Sequence, residues 1–146
     1  MSKGNTFETD LLGLIFNNTD IADIGDASGL QNSATAGSLY VALHTADPGE
    51  AGTAATSEAT YTNYARVAVA RSGAGWTVSG ATATNAAQIT FPQCGASGNT
   101  ITHVSITTAI SGTSKILYSG ALNSSLAVAL NITPLFAASG LTVTED

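Results

Sequence analysis

The chain has 146 residues, of which 10% are charged, and carries a net charge of −6. That length suits one domain with one core, and its four cations, Lys3, Arg66, Arg71 and Lys115, form no basic run able to neutralise a line of phosphates, which argues against direct nucleic-acid binding. A single cysteine, Cys94, excludes an intrachain disulfide and, with no Cys/His cluster beside it, argues against a zinc site.

At the N-terminus, residues 6–17 read as a short amphipathic helix. Phe7, Leu11, Leu14 and Ile15 recur at helical spacing and Leu12 widens the apolar face. Asn5 followed three residues later by Glu8 has the form of a capping box, and Glu8 and Asp10 suit the positive end of the helix dipole. The segment has acidic residues before its apolar run and no small-residue cleavage site, unlike a secretory signal. No apolar stretch approaches the roughly 18 residues of a membrane span, so no membrane partner is expected and the chain is expected to fold in a cytoplasm.

Residues 18–37 are rich in Asn, Asp, Ser and Gly and read as a connector that closes an N-terminal segment, 1–37. Asp20, Asp23 and Asp26 miss the alternating ligands and the glycine of an EF-hand loop, so no metal is expected there. From 38 to 146 the pattern is β. Leu39, Val41 and Leu43 alternate with Tyr40, Ala42 and His44, and Val67 and Val69 alternate with Arg66 and Ala68. Further runs at 75–79, 80–84, 87–91, 100–108, 114–122, 126–133 and 140–145 are separated by Gly, Asn, Ser and Pro signals. These predict an antiparallel β-sandwich of about eight strands, jelly-roll-like, within a single structural domain.

The longest gap is 45–63. Asp47-Pro48-Gly49-Glu50 has Pro and Gly placed for a type II turn, which needs positive φ at its third residue. A loop of this length in a compact domain tends to be functional, and its small side chains suggest an arm that lies on another subunit.

Chemistry is hard to find. A hydrolase needs His44 or His103 beside an activated Ser or Cys and an orienting carboxylate, yet no Gly-x-Ser-x-Gly elbow and no nearby Cys-His pair occurs. Asp47, Glu50 and Glu58 lie in the long loop, where acids are usually solvated, and Gly73 and Gly75 lead into strand-like residues instead of a phosphate-binding helix. Tyr40, Tyr61, Tyr64, Trp76 and Tyr118 could form a sugar platform, but Tyr64 and Trp76 read better as core or interface anchors. No enzyme activity and no cofactor are expected. Assembly is: soluble domains are about 25% charged, whereas here 36 Ser and Thr residues cover much of the exterior, and such a surface costs little to desolvate against a neighbour.

The stretches "SLYVALHTADPGEAGT", "YARVAVA", "ITFPQ", "ITHVSI" and "ILYSGAL", in that order, resemble a family of small virion proteins of tailed bacteriophages, over about residues 7–145. Its members are labelled tail-fibre or minor structural proteins, and related small β-proteins decorate capsids. The resemblance implies a virion structural protein with no catalytic residues. The expectation drawn from it is a homotrimeric capsid decoration (cement) protein that bridges capsomers, with the major capsid protein or other virion proteins as partners. The alternative is a tail or neck fibre or receptor-binding module. Expected contact residues are Phe7, Leu11 and Ile15 on the helix, Asp47, Pro48, Gly49 and Glu50 in the loop, and Arg66 and Arg71 as partners for acidic surface.

Overall fold

The computed structural model describes residues 2–146. The described residues are mainly β, with one helix, α1 (Asn5–Asn17), and nine strands: β1 (Ser38–His44), β2 (Val67–Ala70), β3 (Trp76–Ser79), β4 (Thr82–Asn85), β5 (Ile89–Thr90), β6 (Asn99–Thr107), β7 (Ile116–Val128), β8 (Leu135–Phe136) and β9 (Thr142–Thr144). The expected class, antiparallel β with a leading helix, is what forms. The strands make a four-stranded sheet in the order β2-β1-β6-β7, a three-stranded sheet β3-β4-β9 and a two-stranded pair β5-β8. Two compact units share the chain: 2–38 with 69–88 and 136–146, and 39–68 with 89–135.

In the first unit α1 covers β3. The helix starts one residue earlier than its sequence signals suggest: Gly4 is the N-cap, no side chain caps the end, and Asn5 is already helical, so the expected capping box does not form. The buried line is also rotated. Glu8, Leu12 and Phe16 are buried, whereas Leu11, Leu14 and Ile15 are half-buried and Phe7 is 39% exposed. The reason is a specific partner: Phe16 lies edge-on to Trp76 of β3, ring centroids 4.7 Å apart, and both rings are fully buried. Asn18, in the left-handed conformation (φ 55°), ends the helix, and the Thr19 amide donates back to the Gly13 carbonyl at 3.1 Å.

Strands β3 and β4 pair from Trp76↔Asn85 to Ser79↔Thr82. The two residues between them, Gly80-Ala81, form a tight hairpin that needs Gly80 at positive φ (56°). Asn85 closes the unit from inside. Its buried amide donates to the carbonyls of Ala87 (2.8 Å) and Ala137 (2.7 Å), and its Oδ1 accepts from the Leu141 amide (2.8 Å), which holds the segment entering β9.

In the second unit, β1 and β6 form the centre of the larger sheet, pairing from Tyr40↔Thr107 to His44↔His103. One face carries Val41, Leu43, Val104 and Ile106. The opposite face carries Ala42, His44, Ser105 and Thr107, and all eight are buried. Two strands expected at 114–122 and 126–133 are one strand, β7. The polar run read as a break is a bulge: the ladder with β6 passes from His103↔Ala121 to Ile101↔Leu126, so Leu122–Ser125 lie opposite Thr102 alone. Cys94 is a buried free thiol.

Candidate functional site

The residues expected at contacts divide into those facing outward and those holding the chain together. In the loop 45–63, Asp47, Gly49 and Glu50 are exposed and Pro48 is buried. Gly49 has the positive φ (69°) that the turn requires, and the Asp47 carboxylate accepts its amide at 2.9 Å. Beyond the turn the loop folds back on its own unit. Thr45 donates its amide to Ser57 (2.8 Å), Ala59 donates to Leu43 (2.8 Å), and Ala54 donates to Ser114 (2.9 Å), while Ala54, Ala59 and Tyr61 are buried. The loop is thus a stapled tip on the sheet end, next to the turn that joins β6 to β7.

Arg66 is the staple. It is 4% exposed and uses all five N–H groups of its guanidinium. Nε and Nη2 fork onto Glu58 (2.6 and 2.8 Å), Nη1 donates to the Ala109 carbonyl (2.9 Å) and the Ser114 hydroxyl (3.2 Å), and Nη2 donates also to the Gly112 carbonyl (2.7 Å). Donating to the Glu58 carboxylate holds the guanidinium more firmly charged than usual. Tyr64 completes the cluster: its hydroxyl accepts the Leu43 amide (3.0 Å) and donates to Glu58 (3.1 Å), and burial pushes its phenol pKa up. Both loops at this end of the sheet are therefore fixed from beneath. Arg66 serves this interior role, so it does not offer a charge to a partner.

Arg71 plays the matching part in the first unit. It donates to the carbonyls of Leu14 (2.6 Å), Ile15 (2.8 Å) and Ala36 (3.1 Å), so a cation caps the C-terminal end of α1 and ties down the connector. In that connector Asp20 accepts the Asn32 amide and Asp26 the Ser28 amide. No group of three or more His, Cys, Asp or Glu side chains able to hold a metal ion occurs among the described residues.

One nucleophile–base pair exists that the spacing of residues does not announce. His44 Nε2 lies 2.7 Å from Ser105 Oγ, and His44 Nδ1 lies 2.9 Å from the Thr56 carbonyl. A carbonyl only accepts, so Nδ1 carries the proton and Nε2 accepts from the Ser105 hydroxyl. This is the polarity of an activated serine, but His44 and Ser105 are 0% and 1% exposed, which seals the hydroxyl from any substrate atom. The pair instead joins the loop, through Thr56, to β1 and β6. Desolvation lowers the His44 pKa from 6.5, opposed by the Thr56 hydrogen bond and Glu58 and reinforced by Arg66 and His103. The neutral ring is favoured in the fold, so its contribution is complete above about pH 6.5 and is lost as pH falls below that toward the lowered folded value. The urea midpoint is expected to be lower at about pH 5.5 than at about pH 7.5, and a folded His44→Gln variant should show a shallower difference. An equal slope in that variant would assign the acid sensitivity to other groups.

The family model described as "Podophage GP4 fiber I protein gp80" matches residues 5–144. The chain belongs to this family. The match covers both units and meets the expectation of a small phage virion family carrying a fibre label. It makes the chain a phage structural protein of the virion. No curated protein matches it. For this fibre-family protein the elements that shape the outward surface are Glu58, Tyr64, Arg66, Ser105 and Ser114. Of these only Arg66 was singled out as a contact residue in the sequence, although Glu58 and Arg66 are the only charged residues between Glu50 and Arg71. No helix among the described residues is long and apolar enough to cross a membrane.

Proposed function

We propose that the protein is a non-catalytic structural subunit of a podophage fibre, present as a homotrimer and joined to other virion proteins through its exposed, weakly charged surfaces. The observation that carries this reading is the family match over residues 5–144. The interior supports it, since Glu58, Tyr64, Arg66, Ser105 and Ser114 are engaged in holding the loops of the second unit, a use suited to a part that must keep its shape under force. Exposed Phe7 on α1 and the Asp47–Glu50 tip are the expected contacts with neighbouring virion proteins. Capsid decoration needs the same surface chemistry, but the fibre description of the family favours the tail over the shell.

Counting copies in purified particles separates the two. A fibre subunit is expected at about three to twenty copies per virion. Hundreds of copies would return the protein to the capsid surface, and absence from the particle would end the structural reading.

A further inference from the structure

Cover thins out across the larger sheet. In β1, Leu39 and Val41–His44 are buried; in β6, Ile101 and Val104–Thr107 are buried; in β7 only Val128 is. Yet β7 carries Ile116, Leu117, Tyr118, Leu122 and Leu126. Both faces lose their cover there. Tyr118 and Gly120 continue the face of Ile106 and Val104, while Ser119 and Ala121 continue that of Ser105 and His103, and Ser119, Gly120 and Ala121 are all exposed. The strand also ends the sheet order, so no neighbouring strand lies along its outer edge among the described residues.

Proteins usually protect such an edge with charge, proline or brevity. This one is 13 residues long, and no charged residue occurs from Ile116 to Thr144. Lys115 is the only one between Arg71 and Glu145. Its ladder with β6 is interrupted by the bulge at Leu122–Ser125 and by a one-residue shift at Leu117.

We infer that β7 is the strand through which copies of this chain associate, covered in the assembled protein by β7 of neighbouring copies. The inference rests on the homotrimeric reading above and names its interface. An uncharged strip is best matched by another uncharged strip, because desolvating a partner's charge is costly, and the chain itself supplies one in every copy. β7 runs alongside the nine residues of β6, about 30 Å; its two faces, with exposed Leu126, Leu130, Ile132 and Leu135 on and just beyond it, are the apolar surface each copy can set toward the about 800 Å2 per partner that stable association needs. Edge pairing alone would leave both faces in water. Three β7 strands packed about one axis cover them.

The test uses the full chain carrying Ala121→Glu and Leu126→Glu, both at exposed positions, so that like charges meet only where copies meet. Light scattering at about 100 μM is expected to give a trimer for the wild type and a monomer for the variant, with unchanged circular dichroism. Should the variant misfold, Ala121→Cys treated with a short bismaleimide is expected to give covalent multimers, and Thr77→Cys, exposed on β3, none. A folded variant that stays trimeric, or Ala121→Cys that fails to cross-link within a trimer, overturns the β7 interface and leaves the fibre reading standing. A wild-type monomer overturns the interface too, while copy counting still decides the fibre reading on its own.

Discussion

Arg66→Ala is expected to be the most damaging single change, costing about 3–5 kcal/mol, because it leaves the Glu58 carboxylate without its forked partner and strips donors from the Ala109 and Gly112 carbonyls. For a chain of this size about 1 kcal/mol corresponds to about 2–4 °C, so the melting temperature should drop by on the order of 10 °C. Arg66→Lys keeps the charge but cannot fork, and is expected to lose much of the same stability. The double variant Arg66→Ala/Glu58→Ala should lose less than the sum of the two single changes, since no carboxylate is then left uncompensated. Thermal and urea melts of the four variants check this, and strict additivity would mean that the two side chains do not act as a pair. Proteolysis within 45–57 adds a local reading: the loop should be cut much faster once its staple is gone.

Trp76→Ala is the second large effect, at about 3–5 kcal/mol, in the range for removing a fully buried aromatic side chain. The indole is the surface on which Phe16 seats α1, so the loss should be concentrated in the helix, which at 13 residues is marginal without tertiary packing. Phe16→Ala approaches the same contact from the other side and keeps Trp76, the only tryptophan, as a fluorescent reporter. A red-shifted emission with early proteolysis of residues 5–17 is expected. A blue emission with a protected helix would show that α1 is held by other contacts.

What the amino-acid order revealed, and what it hid, follows from the range over which each signal acts. The strand 38–44 was legible from the alternation of Leu39, Val41 and Leu43, and so was the turn at Gly49, because both depend on neighbours in sequence. Its second buried face was not, since Ala42 and His44 read equally well as exposed residues. The helix was legible but its orientation was not: with apolar side chains at 7, 11, 12, 14, 15 and 16, several stripes are possible, and only the distant Trp76 selects the line through Leu12 and Phe16. The contact arm expected at 45–63 shows the same limit. Its small side chains suggest an arm that lies on another subunit, but Ala54 and Ala59 are buried within the chain's own fold. Glu58 and Arg66 stand eight residues apart and meet only after the chain has turned, and His44 and Ser105 are joined across 61 residues. No local pattern marks such pairs.

The stapled tip separates two demands that a virion protein usually has to meet with the same residues. Glu58, Ala54 and Ala59 look inward and keep the shape, whereas Glu50 and Ala55 look outward. Selection can therefore rewrite the second group from one phage to the next while the first stands still, and the particle gains a place to vary without risking its architecture.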